Sequence, residues 1–180
     1  MNKANIEAEI RSFITDEEYQ RLLDYFQKDA KYLGEDDQTT YYFNAPQDLR
    51  IQKNEKGAKI WSKSGRIHDE AREELEIYFT AQDFEKLEKL FIGLGFEVKI
   101  KWFRKRHSFD WAGIIVTIDN TKGYGKIIEL EKMCDSTDQE KALEELKNKL
   151  KSLDISLTAR QEFDERFDYY KKHWPELIGD

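Results

Sequence analysis

The sequence predicts an α+β protein in which an eight-stranded antiparallel sheet closes into a β barrel with helices packed outside it. Segments that alternate apolar and charged residues recur along most of the chain, as half-buried strands do. Amphipathic helical patterns interrupt them at only three places. Pro46 and Pro175 are the only prolines among the 180 residues, and no Gly/Ser-rich linker is present. We therefore expect a single domain over residues 1–180.

The strand predictions depend on a period of two. In the first segment, Ile6–Arg11, the even positions are apolar and the odd positions are charged. Turn residues such as Asn54–Gly57 separate several of the segments. Enough strands are predicted for the sheet to close on itself. The predicted strands cover residues 6–11, 31–44, 49–52, 59–63, 70–79, 96–109, 113–120 and 124–133. In the fifth strand, Leu75, Ile77 and Phe79 form the predicted apolar face.

Four helices are predicted. The first has Asp16 as its expected N-cap, and Tyr19, Leu22, Leu23 and Phe26 form its apolar stripe. The second spans residues 81–91 and stops before two glycines. The remaining helices are expected near residues 137–151 and 158–172, and they end the pattern.

Composition excludes several classes of protein. The net charge of −7 argues against a general binder of nucleic acid or of anionic membranes, because it repels phosphate. One cysteine, Cys134, excludes an internal disulfide framework and a multi-cysteine zinc site. No apolar signal region or membrane-length apolar stretch is present. We expect a cytoplasmic protein without a nucleic-acid or membrane partner.

Charged residues occupy the face opposite the apolar one on strand after strand. For Glu7-x-Glu9-x-Arg11 alone, a solvated strand face is the ordinary interpretation. In a closed barrel, however, one face of each strand points inward, and the helices can cover only the apolar face. A mixed-charge interior is costly unless it binds something. The basic members are Arg11, Arg50, Lys59, Lys63, Arg72, Arg104 and Arg106, and the acidic members are Glu7, Glu9, Glu74, Glu76, Asp119, Glu129 and Glu131.

Both signs of charge in one cavity suit a polyphosphate bound with a metal. Basic side chains neutralise phosphate oxygens, and arginine can do so with two parallel hydrogen bonds. Carboxylates spaced i, i+2 on a strand point the same way and offer hard oxygen ligands to Mg²⁺ or Mn²⁺. The residues therefore predict a site for a triphosphate and a divalent metal.

Several motifs, in their order along the chain, resemble the CYTH superfamily of triphosphate tunnel metalloenzymes. That superfamily includes class IV adenylyl cyclases, thiamine triphosphatases and inorganic triphosphatases. Any one of the motifs is weak, but their order and spacing match over residues 6 to about 133. The matching motifs are Glu7-Ala8-Glu9-Ile10-Arg11, Leu49-Arg50-Ile51-Gln52, Lys59 to Lys63, Arg72-Glu73-Glu74-Leu75-Glu76, Arg104-Lys105-Arg106, and Asp119 followed by Glu129-Leu130-Glu131.

The resemblance implies a role for each charged residue, with internal ion pairs as the alternative. The implied metal ligands are Glu7, Glu9, Asp119, Glu129 and Glu131. The implied phosphate-binding residues are Arg50, Lys59, Lys63, Arg72, Arg104 and Arg106. The implied catalytic residues are Glu7, Glu9, Arg11 and Glu131. Glu74 and Glu76 either support the arginines or contact the metal.

Three departures from the family pattern bear on activity. Arg11 stands where lysine is usual, Gln52 where a second basic residue is common, and Tyr124 where leucine is frequent. We expect hydrolysis of inorganic triphosphate, thiamine triphosphate or a nucleoside triphosphate, because no adenine-reading element is evident. Formation of cyclic AMP and pyrophosphate from ATP is the alternative, and binding without turnover is a third hypothesis.

The remaining candidates receive structural interpretations. Gly123 and Gly125 are expected in a turn, because a phosphate loop requires a following helix. Cys134 is expected at a strand end. The tryptophans are expected to pack in the core or at the rim, with a stacking platform as the alternative, and they are Trp61, Trp102, Trp111 and Trp174. A small-molecule triphosphate is the expected partner, and a homodimer formed through the last helices is left open.

Overall fold

The computed structural model describes residues 5–63 and 74–179. In these residues it contains eight strands and four α-helices, which confirms the α+β class. Two 3-10 turns, Ala81–Asp83 and Ser136–Asp138, precede the second and third helices. In chain order the elements are β1 (Asn5–Ile14), α1 (Asp16–Asp29), β2 (Lys31–Phe43), β3 (Asp48–Asn54), β4 (Gly57–Lys63), β5 (Glu74–Phe79), α2 (Phe84–Gly93), β6 (Val98–Trp111), β7 (Ile114–Thr121), β8 (Gly125–Asp135), α3 (Gln139–Ser152) and α4 (Arg160–Ile178).

The strands form one sheet in the order β1-β8-β7-β6-β2-β3-β4-β5. The β1–β8, β7–β8, β2–β3, β3–β4 and β4–β5 pairs are antiparallel, as predicted. Within residues 5–63 and 74–179, no hydrogen-bonded pairing joins the two outermost strands. The antiparallel sheet is therefore confirmed, and its closure into a barrel stays a prediction.

The first helix begins one residue earlier than predicted. Thr15, not Asp16, is the N-cap of α1, because its hydroxyl accepts a hydrogen bond from the Glu18 amide at 3.2 Å. The Glu18 carboxylate accepts in return from the Thr15 amide at 2.7 Å. This reciprocal capping box needs threonine and glutamate three residues apart. Asp16 is instead the first helical residue, where its charge favours the positive end of the helix dipole.

The chain divides into two compact units. Unit 1 contains the chain up to Glu35 together with Lys105–Asp168, and unit 2 contains Asp36–Arg104 together with the chain from Tyr169. In unit 1, the apolar faces of β1, β7 and β8 pack with α1 and α3 in one core. Fully buried members of this core include Leu22, Phe26, Ile118, Ile128, Leu130 and Leu146.

The core of unit 2 forms where α2 packs on the apolar side of β3 and β4. Phe84 and Phe91 of α2 meet Ile51 and Ala58 of those strands, and Phe43 completes the cluster. Phe84 and Phe91 lie at the periodic positions that make α2 amphipathic. The apolar side of the sheet in unit 2 is therefore covered by a helix.

The apolar face predicted for β5 is only partly buried. Phe79 packs against the core of unit 2, but Leu75 and Ile77 are 65% and 57% exposed. These two residues stay exposed because β5 is the outermost strand of its side of the sheet. Alternation identified the face, but it could not show that the covering helix stops short of it.

Helix α4 also differs from the prediction that every helix packs outside. In unit 1, its Phe163 stacks on Phe13 of β1 with ring centroids 4.4 Å apart. Arg11 lies over the Phe163 ring at 4.6 Å. Phe13 and Arg11 have the same parity as Glu9, so this helix contacts the charged face of β1. None of the helices in the described part of the chain is long and apolar enough to cross a membrane.

Candidate functional site

The charged face of unit 1 is assembled by strands β1, β8 and β7. Glu9 lies opposite Glu131, and Arg11 lies opposite Glu129, in the β1–β8 pair. Glu129 in turn lies opposite Thr117 in the β7–β8 pair. Directly opposed residues project to the same side of a sheet. The register therefore brings together carboxylates that are far apart in the sequence.

Three of the predicted metal ligands converge. Glu7, Glu9 and Glu131 each offer a carboxylate oxygen, and these oxygens lie within 4.8 Å of one another. Glu7 and Glu9 are exposed and Glu131 is half-buried. Carboxylate oxygens are the ligands that Mg²⁺ and Mn²⁺ prefer. The chemistry and spacing of this donor set fit a divalent cation, and we call these three residues the carboxylate cluster.

Crowding changes the proton affinity of the carboxylate cluster. Partial loss of solvent, then the charge of Glu129 and a hydrogen bond with it, raise the pKa of Glu9 to about 7. The same causes, with further repulsion from Glu7 and Glu9, raise the pKa of Glu131 to about 8. Arg11 acts against the shift at Glu9. Without a cation, the cluster therefore binds protons at a pH where isolated glutamates are ionised.

Arg106 and Asp119 form a buried ion pair beside Glu129. The guanidinium donates from Nε at 2.8 Å and from Nη2 at 2.7 Å to the two Asp119 oxygens. The same Nη2 lies 3.5 Å from a Glu129 oxygen. Burial opposes the charge on Arg106, but Asp119 and the nearby glutamates outweigh it and raise the pKa of the guanidinium above its ordinary value. The metal role predicted for Asp119 and Glu129 stays a prediction, since both residues contact arginine here.

The charged face of unit 2 is built differently, from cations that stack on aromatic rings. Arg50 donates from Nε at 2.7 Å and from Nη2 at 2.5 Å to the two oxygens of Asp48. The Arg50 guanidinium lies 4.3 Å from the centroid of the Tyr42 ring and 5.5 Å from that of Trp61. Register explains the contacts, because Arg50 lies opposite Tyr42 on β2 and opposite Trp61 on β4.

Lys59 is held by the same tryptophan and by a carboxylate. Its ammonium lies 4.7 Å from the Trp61 ring centroid and donates to Glu76 at 2.5 Å. The Tyr78 hydroxyl donates to the second oxygen of Glu76 at 2.7 Å. Glu76 therefore contacts a lysine, and its role beside the arginines or the metal stays a prediction.

Arg104 is held by an amide that the sequence analysis did not single out. The Gln38 side-chain oxygen accepts from Arg104 Nε at 2.9 Å and from Nη2 at 2.5 Å. Gln52, which replaces a basic residue of the family pattern, donates to the same oxygen at 3.3 Å and to the Thr40 hydroxyl at 3.1 Å. The substitution at Gln52 thus adds a neutral hydrogen-bonding link beside Arg104.

Several other predictions can be compared with the structure. Arg72 lies outside the described residues. Lys63 and Glu74 are register partners at the ends of β4 and β5. Gly123 lies within the β7–β8 turn and Gly125 is the first residue of β8, with φ of 74° and 135°, which confirms the turn interpretation. Cys134 lies near the end of β8.

Sequence reasoning missed Gln38, Tyr42 and Trp61 as members of the charged face. Trp61 was expected to pack in the core or at the rim, and it is buried, with 7% of its surface exposed. Its ring also lies beside two cations, those of Arg50 and Lys59. Its parity with Lys59 in β4 was the available signal. On β2, Gln38, Thr40 and Tyr42 are alternate residues and therefore lie on one face of the strand. This is the charged face, because Tyr42 lies opposite Arg50.

Comparison with known proteins gives the family of the chain and proteins of similar fold. A Methanocaldococcus jannaschii protein with the printed name "Putative adenylate cyclase" is 30% identical over 162 residues, covering 84% of this chain and 91% of that protein. A conserved hypothetical protein from Pyrococcus furiosus has a similar solved structure, with a TM-score of 0.64, 27% identity, and coverage of 84% of this chain and 92% of that chain. A Vibrio parahaemolyticus structure, titled as a putative adenylate cyclase, shares the fold at a TM-score of 0.62 and 14% identity, with 89% of this chain and 98% of that chain covered. The CYTH domain family matches residues 5–161, and the chain belongs to that family.

Proposed function

We propose that this protein is an enzyme that hydrolyses a triphosphate with the help of Mg²⁺ or Mn²⁺. The observation that carries the proposal is the convergence of the Glu7, Glu9 and Glu131 oxygens within 4.8 Å. Like charges held this close repel each other unless a proton or a cation lies among them. Membership of the CYTH family supports the metal as the natural occupant.

The carboxylate cluster would hold the cation, with Glu129 and Asp119 as further proposed ligands. When bound, a divalent cation neutralises charge on phosphate oxygens and lowers the pKa of water. Glu9 and Glu131 would supply the carboxylate that orients the attacking water and accepts its proton. Their raised pKa values, about 7 and about 8, belong to the cluster without a cation, and a bound cation would lower them by favouring the ionised carboxylates that accept a proton.

The phosphate oxygens would bind to the basic residues. Arg50 and Lys59 are held by rings and carboxylates in unit 2, so their side chains lose little freedom on binding. Arg104 and Arg106 add guanidinium donors, each fixed by a partner. Lys63 and Arg72 are further members of the proposed set, and Arg11 would bind phosphate or orient the first glutamate pair. The predicted closed tunnel and single domain over residues 1–180 belong to the same proposal.

Cyclisation of ATP is the second candidate, and a specific observation favours it. The Methanocaldococcus jannaschii relative bears an adenylate cyclase name. In that reaction the ribose 3′-hydroxyl attacks the α-phosphorus, loses its proton to a base, and pyrophosphate leaves with its bonding electrons. In hydrolysis, water attacks the terminal phosphorus and loses its proton to a base. The bond from that phosphorus to the bridging oxygen breaks, the diphosphate part leaves with the bonding electrons, and the attacked phosphoryl group becomes inorganic phosphate. The same metal and phosphate contacts serve both reactions.

A substrate panel separates the candidates. Phosphate release and cyclic AMP are measured with inorganic triphosphate, thiamine triphosphate and ATP, each with Mg²⁺ and with Mn²⁺. We expect phosphate release that falls more than a hundredfold in Glu9→Gln and stays unchanged in Glu17→Gln, a control on an exposed position of α1. Formation of cyclic AMP from ATP would overturn the hydrolysis proposal in favour of cyclisation. Tight triphosphate binding without any turnover would make the protein a binding module.

The oligomeric state is a separate part of the proposal. A homodimer formed through the last helices was left open by the sequence, and α4 is the longest helix described, Arg160–Ile178. Light scattering on the purified protein measures the mass directly. A mass of one chain at all concentrations would remove the dimer without affecting the proposed chemistry.

A further inference from the structure

Thr117 carries a buried hydroxyl group that the proposed chemistry does not yet use. The residue is 4% exposed, and in the described part of the chain its Oγ1 has no hydrogen-bond partner. Buried hydroxyl groups are almost always paired, because leaving one unpaired costs stability. The Thr117 hydroxyl is therefore available to donate to a group that reaches it in another state of the protein, and its neighbours decide whether one can.

The position of Thr117 restricts what that partner can be. Thr117 lies directly opposite Glu129 in the β7–β8 register, and such side chains begin only about 5 Å apart. Because Oγ1 is closed to solvent, a neighbouring side chain is a better partner than a ligand. Asp119, two residues away on the same face, has both oxygens on Arg106. Glu129 and Glu131 are the other acidic residues on that face of the strand pair, and only Glu129 lies directly opposite Thr117, because Glu131 lies opposite Ile115.

We propose that Thr117 is a positioning residue for the metal site, and that its hydroxyl donates to the Glu129 carboxylate when the carboxylate cluster holds a divalent cation. The inference rests on the proposed function only in requiring that the cluster binds a cation. Glu129 now lies 3.5 Å from Arg106 and interacts with Glu9 and Glu131. A cation among the glutamates changes these contacts, and a donor opposite Glu129 then fixes its carboxylate. Carboxylates near metals are commonly oriented by such outer hydrogen bonds.

Thr121 provides a matched control on the same strand. It is 2% exposed, and its Oγ1 also lacks a hydrogen-bond partner among the described residues. It has the same parity as Thr117 and so lies on the same face. Its register partner is Gly125, which has no side chain to accept a hydrogen bond. Removing this hydroxyl tests the effect of the substitution itself without removing a donor to a carboxylate.

The experiment compares Thr117→Val, Thr117→Ser and Thr121→Val in the full chain. Binding of Mn²⁺ alone is measured by electron paramagnetic resonance, and the melting temperature is measured in EDTA. Valine keeps the shape of threonine, so we expect Thr117→Val to melt at or above the wild-type temperature. Its Mn²⁺ affinity should fall about tenfold, as for other outer-shell groups. Thr117→Ser should bind within about twofold of wild type, since it keeps the donor.

Three outcomes would overturn the inference. Wild-type Mn²⁺ affinity in Thr117→Val would show that the hydroxyl does not act on the site. An equal loss in Thr121→Val would assign the effect to packing. A markedly lower melting temperature of Thr117→Val in EDTA would mean that the hydroxyl already has a structural partner. Failure of the wild-type protein to bind Mn²⁺ is a different result, because it would overturn the proposed metal-dependent function and the inference with it.

Discussion

The charged faces of the two units solve the problem of crowded charge in different ways. In unit 2, Arg50 and Lys59 each meet a carboxylate and an aromatic ring. In unit 1, Glu7, Glu9 and Glu131 approach one another, and the pKa values of Glu9 and Glu131 rise. Opposite charges and rings satisfy the cations without a ligand, whereas the carboxylate cluster is relieved only by protons or by a cation. If the proposed function is right, unit 1 is the unit whose stability is expected to respond to metal.

The largest expected change in unfolding free energy comes from breaking an ion pair, and the two units can be compared by breaking one ion pair in each. Asp119→Ala leaves Arg106, with a side chain only 20% exposed, without its two-oxygen partner, and we expect a loss of about 3 kcal/mol in unfolding free energy. Asp48→Ala should cost only about 1 kcal/mol, because Arg50 keeps the Tyr42 and Trp61 rings. Urea denaturation measures both values. Equal losses would contradict the role given to the rings.

The second prediction concerns the pH dependence of the carboxylate cluster. A folded pKa of about 8 for Glu131 lies above that of an unfolded glutamate. Its contribution to stability is therefore present below about pH 4.5 and is lost as pH rises through about 8. In EDTA, Glu131→Gln should raise the melting temperature at pH 8 and have little effect at pH 5. Glu144→Gln on α3, which is exposed, is the control.

The same variant should respond differently to metal. Mn²⁺ should raise the melting temperature of the wild-type protein most at high pH, where the cluster is ionised. Glu131→Gln should lose more than tenfold in Mn²⁺ affinity, because it removes a ligand and not an outer hydrogen bond. Wild-type Mn²⁺ affinity in this variant would exclude Glu131 as a ligand.

The third prediction tests the aromatic support in unit 2. Trp61→Leu removes the ring that contacts Arg50 and Lys59, so we expect triphosphate affinity, measured by calorimetry, to fall about tenfold. Mn²⁺ affinity should not change, since the carboxylate cluster belongs to unit 1. Trp111→Leu is the matched control, because that ring contacts Lys149 instead. If both variants lose the same triphosphate affinity, the effect of Trp61 is one of general stability.

The smallest effect is expected at the edge of unit 2. Tyr78 is 73% exposed and donates a single hydrogen bond to Glu76. Tyr78→Phe should weaken triphosphate binding by about twofold, through a less ordered Lys59, and leave the unfolding free energy within about 0.5 kcal/mol of wild type. A tenfold loss in the same calorimetric assay would mean that the Tyr78 hydroxyl contacts the ligand directly.

Much of the site was predictable because strand alternation is strictly local. The parity of Glu7, Glu9 and Arg11 places them on one face whatever the strand pairs with. The motif order then indicated a family, and residues 5–161 match it. Local sequence also contains the capping box of α1, although Asp16 was preferred to Thr15 as the N-cap. Parity equally placed Trp61 beside Lys59, but an aromatic residue suggested packing instead.

The sequence by itself determined which residues share a face, because backbone geometry fixes the direction of successive side chains along a strand. Only the tertiary structure decided which of them meet. Register brought Glu131 to Glu9 and left the Thr117 hydroxyl opposite Glu129; the position of α4 brought Phe163 onto Phe13. Those choices depend on which strands become neighbours and on how far each helix reaches. Contacts between distant segments are set by the packing of the whole chain, and no local pattern encodes them.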